Sequence, residues 1–311
     1  MPPQLAIVSP VYKAEGCIDE LHRRLTAVLR EMQVNYEIIL VDDGSPDRSA
    51  EKLEQIATSD SHVMAVLLSR NFGQHAAILA GLSQSRADAV VVMDCDLQDR
   101  PEDIPLLYAK VLEGFDVAIA RRHRRQHSWF KRATSRLWFA LLNLLTDSPT
   151  DPAASSFSIV TRQVVDELAT MPNRHSHFLF VLQWLGFRQT YVDVEHDRRF
   201  DGKSSYTVWR LMTHAMTGIT AHSTRLLHLS IYAGFSFFAL AVMQFAYVLY
   251  RKLMDGIGVA GWASVMAAVW LMGGALLFSL GVIGIYLGRI VEDVKGRAPF
   301  IIRRRIRSEA P

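Results

Sequence analysis

Two stretches near the C-terminal end, Leu226 to Tyr250 and Gly256 to Gly288, contain no Asp, Glu, Lys or Arg. At about 1.5 Å per helical residue, each is long enough to cross a hydrocarbon layer about 30 Å thick. Buried core helices seldom run so far without a charge, so the pair reads as a hairpin of two transmembrane helices. The link between them holds only Arg251, Lys252 and Asp255, whereas Arg289, Lys295, Arg297, Arg303, Arg304, Arg305 and Arg307 come after the second stretch. That asymmetry places both termini in the cytoplasm, in a multi-pass protein of the inner (plasma) membrane. Residues 205–225 mix Tyr206, Trp209, Leu211 and Met212 with Arg210, His214 and His222, a composition suited to helices lying in the membrane interface.

The N-terminal part has a different rhythm. Short β-branched runs at Leu5–Val8, Tyr36–Val41, Val63–Leu68, Ala89–Met93 and Val117–Ala120 alternate with helix-patterned segments at Ile18–Met32, Arg48–Ala57 and His75–Ser85. Apolar strands alternating with helices predict an α/β, Rossmann-like domain whose parallel sheet is covered on both faces. Ligands in such sheets sit at the carboxyl ends of the strands. The expected division is a catalytic domain over 1–204, interfacial helices over 205–225, the hairpin over 226–290 and a basic cytoplasmic tail over 291–311.

Composition narrows the function. A net charge of +3 over 311 residues does not indicate a nucleic acid as partner. The two cysteines, Cys17 and Cys95, allow no disulfide framework or zinc cluster, and Cys95 reads as a packing residue. Met1 to Gln4 does not open a signal peptide.

Polar residues of a particular kind stand at the strand ends. After the first strand comes Ser9-Pro10-Val11-Tyr12-Lys13-Ala14-Glu15, and after the second Asp42-Asp43-Gly44-Ser45-Pro46-Asp47. Asp42 there can accept hydrogen bonds from a ribose hydroxyl or a base N–H, and Tyr12 offers a face on which a base stacks. Gly44 to Asp47 also reads as a turn and helix start, with Ser45 or Asp47 as the cap. After the fourth strand, Asp94 and Asp96 are separated by one residue and repel one another unless a cation lies between them. Mg²⁺ or Mn²⁺ shared with a diphosphate answers that repulsion, and Gln98 can add an oxygen ligand. Asp99 reads as a helix cap. From Val117 to Thr146 there is no acid, while Arg121, Arg122, Arg124, Arg125, Lys131, Arg132 and Arg136 occur with Trp129 and Phe130. Beside membrane spans, this run matches lipid phosphates better than nucleic acid.

At these residues the chain resembles the family-2 glycosyltransferases of GT-A fold, and among them the polyprenyl-phosphate group. That group includes dolichol-phosphate mannose synthase and the bacterial undecaprenyl-phosphate glucosyl- and aminoarabinosyltransferases. The likeness runs through Val8–Glu15, Val41–Ser45, Ser69-Arg70-Asn71-Phe72-Gly73-Gln74-His75, Asp94–Pro101, Arg198–Tyr206 and Tyr286-Leu287-Gly288-Arg289. It implies inverting transfer of a sugar, by default a hexose such as glucose on UDP, to polyprenyl (undecaprenyl) phosphate. Pro10, Tyr12, Glu15, Asp42 and Arg70 would hold the nucleotide sugar, although Arg70 also reads as a surface salt-bridge partner. Asp94 and Asp96, assisted by Gln98, would bind the metal. Arg121, Arg132, Ser135 and Arg198 would lie near the acceptor phosphate. Membrane lipids are implied as further partners, and relatives suggest a homotetramer.

Two departures from the family pattern matter. Many relatives have Asn-Glu after the tyrosine, where this chain has Lys13-Ala14. Their Gly-Asp-Phe-Arg-Leu stretch is Ser155-Ser156-Phe157-Ser158-Ile159 here, without its acid or its arginine, which leaves Asp151 as the nearest substitute base. A membrane-tethered nucleotide-sugar sensor and a processive polysaccharide synthase are the rival readings. The synthase lacks support because Gln183-Trp184 does not match a Gln-x-x-Arg-Trp motif. A nicotinamide dehydrogenase lacks its glycine fingerprint.

Overall fold

The computed structural model describes residues 3–122, 154–171, 178–195, 225–255 and 261–308. The chain divides into two compact units, one of Met1–Arg136, Thr150–Thr207 and Ala298–Pro311, the other of Leu137–Pro149 and Val208–Arg297.

The first unit is built on strands β1 (Leu5–Val11), β2 (Tyr36–Asp42), β3 (Val63–Leu68), β4 (Ala89–Val92), β5 (Val117–Arg122), β6 (Ala154–Thr161), β7 (Gln189–Val194) and β8 (Ile302–Arg307). Among the described residues it also has helices α1 (Ile18–Glu31), α2 (Ser49–Ser59), α3 (Gln74–Leu82), α4 (Ile104–Leu112), α5 (Arg162–Thr170) and α6 (Phe178–Trp184). The strands form one sheet in the order β7-β5-β6-β4-β1-β2-β3-β8. Alternation along the strands separates two cores. Ile7, Ile38 and Leu40 face α1 and α2 on one side, while Val8, Ile39 and Val41 face α3 on the other. Because the connections through α1 and α2 pack on one face and that through α3 on the opposite face, the strand order reverses between β1 and β4. In open α/β sheets the ligand cleft lies at such a reversal, at the carboxyl ends of the strands.

The sheet is mixed, which corrects the expectation of a parallel one: β6 runs antiparallel to β4 and β5, and β8 antiparallel to β3. Alternation of β and α segments holds through β5 and then stops, so a parallel arrangement cannot be extrapolated past it. Residues 302–307, expected as part of a tail, are the edge strand β8. An Arg-Arg-Arg run carries no apolar strand pattern, and only Ile302 and Ile306 anchor it to the two cores.

The second unit contains two long helices, α7 (Arg225–Asp255) and α8 (Trp262–Val294). Among the described residues one helix has a window long and apolar enough to cross a membrane, Leu271–Gly288, and α7 carries a shorter apolar stretch, Ser230–Gln244. One candidate span is thus found among the described residues where the sequence led to the expectation of two. Both helices expose large apolar side chains, with Phe235 and Leu277 each 72 % accessible, so neither is the core helix of a soluble unit.

Candidate active site

The cleft is framed by loops that bind one another through side chains of the sequence motifs. The connection after β1 presents three backbone N–H groups in succession, and three side chains after β2 accept them. Lys13 N–H donates to Ser45 Oγ (3.2 Å), Ala14 N–H to Ser49 Oγ (3.2 Å) and Glu15 N–H to Asp47 Oδ2 (3.4 Å). Asp47 Oδ1 also accepts from Ser49 N–H (3.2 Å). Arg48 occupies the N-cap position of α2 without a side-chain cap bond, and Asp47 meets the first-turn N–H of Ser49 as the sequence suggested, while Ser45 braces the neighbouring loop.

Lys13 adopts this geometry with φ of +53°, in the left-handed region where Asn is tolerated and a long side chain is not. Lys13→Asn is therefore expected to raise stability by about 0.5–1 kcal/mol, measured as an upward shift of the thermal midpoint. An unchanged or lowered midpoint would show that the lysine's contacts outweigh the backbone strain.

The second aspartate of the Asp42-Asp43 pair holds the loop after β3. Asp43 is 2 % exposed, and its carboxylate accepts from Phe72 N–H (2.7 Å) and Gly73 N–H (2.9 Å). Gly44, at φ +65°, lies so close to the Arg70-Asn71 peptide that a Cβ would fall 2.5 Å from the Arg70 carbonyl carbon. Asp42 accepts from Ser45 N–H through both carboxylate oxygens (3.3 and 3.2 Å). Burial raises the carboxyls of Asp42 and Asp43 above their ordinary value of 3.8, against the lowering effect of those hydrogen bonds.

The loop after β4 carries the remaining acids. Asp94 is held on both sides: Gln74 Nε2 donates to Oδ1 (2.6 Å) and Ser156 Oγ to Oδ2 (3.2 Å). Asp96 Oδ1 accepts from Gln98 N–H (3.1 Å). Leu97 between them is buried at φ +59°, a strained backbone held by its packed side chain. Asp99 does not cap the helix after it; it is 1 % exposed and accepts from Ser155 Oγ (3.3 and 3.2 Å), tying β6 to this loop. The Cys95 thiol is pushed up to about 12 by desolvation and by the charges of Asp94 and Asp96, so it stays neutral as a packing group.

Two carboxylates at a strand end, oriented by Gln74, Ser156 and a backbone N–H, suit Mg²⁺ or Mn²⁺, which takes one or two protein carboxylates and completes its shell with phosphate and water. Among the described residues no third His, Cys, Asp or Glu joins them. Gln98 donates its backbone N–H to Asp96, which helps to orient that acid.

Other expected site residues fall in several places. Pro10 is buried within β1, in register with Val41. Tyr12 is 45 % exposed just past β1, its ring open to a planar partner on the side away from Lys13 Nζ, which lies 5.4 Å from the centroid. Glu15 joins the braced loop through its backbone. The Arg70 guanidinium stacks on Phe72, 4.6 Å from the ring centroid, at the cleft rim. Arg121 makes a bidentate pair with Asp193 (2.7 and 3.1 Å), so its fork is shared with a carboxylate already on the neighbouring strand. Arg132, Ser135, Asp151 and Arg198 lie outside the described residues.

Sequence reasoning alone does not single out Asp43, Gly44, Gln74, Ser155 or Ser156 as parts of the site. Gln74 lies within a matched segment, and Ser156 stands out only as a departure; their shared partner Asp94 appears only in three dimensions.

Comparison with known proteins agrees with this geometry. Residues 6–169 match the family described as Glycosyl transferase family 2. An uncharacterised glycosyltransferase of Synechocystis sp. is 35 % identical, over 96 % of this chain and 94 % of its own length. The undecaprenyl-phosphate 4-deoxy-4-formamido-L-arabinose transferase of Pseudomonas fluorescens is 36 % identical, over 98 % of this chain and 90 % of its own. Among solved structures, glucosyl-3-phosphoglycerate synthase of Mycobacterium tuberculosis in complex with Mn²⁺ and UDP-glucose aligns with a TM-score of 0.52 at 17 % identity, covering 70 % of this chain and 77 % of that one. That likeness carries the fold, a GT-A-like α/β domain. With near full-length identity above 30 % and a family match across the cleft-forming strands, the chain belongs to the family-2 glycosyltransferases.

Proposed function

We propose that this protein transfers a sugar from a nucleoside diphosphate donor, UDP-hexose by default, to undecaprenyl phosphate at the cytoplasmic face of a membrane, inverting the anomeric centre. The observation that carries the reading is the Asp94–Asp96 pair at the β1/β4 reversal, with Asp94 aimed by Gln74 and Ser156. The resemblance to an undecaprenyl-phosphate sugar transferase along nearly the whole chain supports the acceptor class.

Asp94 and Asp96 would hold Mg²⁺ or Mn²⁺, which when bound supplies Lewis-acid stabilisation to the departing diphosphate. Tyr12 stacks on the base, and Asp42 accepts its N–H or a ribose hydroxyl. The braced loops of Lys13–Glu15 and Arg70–Gly73 keep these groups in place before the donor arrives, so little ordering is left for the binding step. A phosphate monoester with a second pKa near 6 is mostly dianionic at neutral pH and attacks without a strong base. Loss of the acid at position 156 is therefore compatible with turnover, and positioning supplies most of the rate.

Two membrane crossings are part of this reading. Strand β8 lies in the same sheet as β1 to β4, so a chain that enters the bilayer through α7 and returns after α8 crosses it an even number of times. The positive flank after α8 supports a cytoplasmic catalytic domain.

The test is to incubate membranes containing the protein with radiolabelled nucleotide sugars and undecaprenyl phosphate, with Mg²⁺ or Mn²⁺ and with chelator. Label in the organic phase that disappears on chelation is the expected outcome. Insoluble polymer would favour a synthase, and donor binding without transfer a sensor.

Asp42 allows a separate check. Its raised carboxyl means that the folded state binds the proton more tightly than the unfolded chain. Stability therefore falls as pH rises from 3.8 through the raised value, and the cost of the buried charge persists at neutral pH. Asp42→Asn is expected to melt at or above the wild-type temperature at pH 7 while binding UDP about tenfold more weakly. Wild-type UDP affinity in that variant would remove Asp42 from the nucleoside site.

A further inference from the structure

The C-terminal strand sits directly behind the donor-side loop. β8 covers the edge of β3, with Met64 opposite Arg307 at one end and Leu68 opposite Ile302 at the other. At the second end the pairing carries a bulge between Leu67 and Leu68, where Arg303 is the extra residue. One hydrogen bond continues past the strand: Ser69 N–H donates to the Ile301 carbonyl (2.9 Å). Ser69 is the residue before Arg70. From there the chain passes over Gly44, gives Phe72 and Gly73 N–H to Asp43, and places Gln74 on Asp94.

Side chains hold the same end. Phe300 and Ile302 pack against the same buried cluster as Phe72, the loop residue on which Arg70 stacks. Elsewhere along β8, Ile306 is buried in the opposite core, Arg304 pairs with Glu54 (3.0 Å) and Arg305 Nε donates to Gln84 (2.6 Å). These contacts spread over both faces of the sheet, so the strand is seated along its length, and its near end is the part that reaches the loop.

We propose that β8 is a positioning element for the donor site: its 300–302 end fixes the start of the Ser69–Gly73 loop, and thereby the reach of Gln74 to Asp94. The consequence for donor binding rests on the function proposed above. In chain order β8 follows α8 through the short link 295–301. The device is a bulged edge strand next to an active-site loop, a place where a local change in pairing re-aims the adjoining side chains.

The experiment compares the two ends of one strand in the detergent-solubilised full chain. Phe300→Ala/Ile302→Ala loosens the near end, and Ile306→Ala removes a buried contact at the far end. Amide hydrogen exchange at Phe72 and Gly73 reports the loop, and UDP binding with Mn²⁺ reports the site. The near-end pair is expected to speed exchange at both amides about tenfold and to weaken UDP about fivefold or more. Ile306→Ala should lower the melting temperature while leaving both readouts within about twofold of wild type. A purely structural strand would show the two variants shifting together. Wild-type protection in the near-end variant, or a loosened loop with unchanged UDP affinity, overturns the proposal. If the double variant does not fold, Ile302→Ala alone is read by the same criteria. A wild-type protein that binds neither UDP nor GDP would sink the donor reading, while the exchange contrast would still decide whether β8 holds the loop.

Discussion

Asp96→Asn is expected to abolish sugar transfer, with kcat lower by about 10³-fold, on the order of 4 kcal/mol, and with the fold retained. The hydrogen bond from Gln98 N–H reaches Oδ1, which the amide oxygen of Asn reproduces, so the local turn survives the change. What disappears is a negative charge. Asp94 already has a donor on each carboxylate oxygen, so it cannot turn to compensate without breaking with Gln74 or Ser156. The measurement is single-turnover transfer at saturating Mn²⁺, with thermal melting to confirm folding. Asp151→Asn is the comparison, expected only to slow transfer, because the acceptor phosphate is already ionised. Turnover near the wild-type rate in the Asp96 variant at saturating metal would count decisively against the assignment.

Gly44→Ala is expected to destabilise the protein by about 3 kcal/mol and to remove nucleotide binding. Two costs combine. A non-glycine residue at φ +65° is strained by about 1–2 kcal/mol. The added methyl also meets backbone, at 2.5 Å from the Arg70 carbonyl carbon and 2.6 Å from the Asn71 nitrogen, and backbone cannot rotate aside as a side-chain tip can. Relief requires the Arg70–Gly73 loop to move, which draws Phe72 and Gly73 N–H away from Asp43 and leaves a buried carboxylate short of partners. Melting temperature and UDP affinity should fall together. A variant that melts near wild type would mean that the loop has slack the tight packing does not suggest.

Lys13→Asn differs in kind. Both positions have positive φ, yet at Lys13 the side chain is exposed and only backbone strain is at stake, so the expected change is small and favourable. At Gly44 the space itself is occupied.

Much of the fold is legible in the sequence because its signals are local. Strand Val63–Leu68 reads with its observed bounds, and β1, β2, β4 and β5 to within a few residues, since each is a β-branched run buried on both faces. The apolar length of α8 is equally plain. Asp94 and Asp96 can be singled out because two like charges so close at a strand end require a cation. β6, β7 and β8 escape a sequence reading for a common reason. Their stability comes from partners far along the chain, and a sequence such as Ile-Arg-Arg-Arg-Ile-Arg has no strand pattern of its own.

Residue type and spacing thus specified which acids carry charge to the cleft and which segments form the central strands, because those depend on nearest neighbours and on burial. Tertiary structure alone decided what holds them. Asp43 became a clasp, Ser45, Asp47 and Ser49 a brace, Gln74 and Ser156 the guides of Asp94, and an arginine-rich end an eighth strand. Each of these is a hydrogen bond or ladder between groups distant in the chain, and the free energy of such a contact is set by where the backbone brings its two ends, which no local pattern encodes.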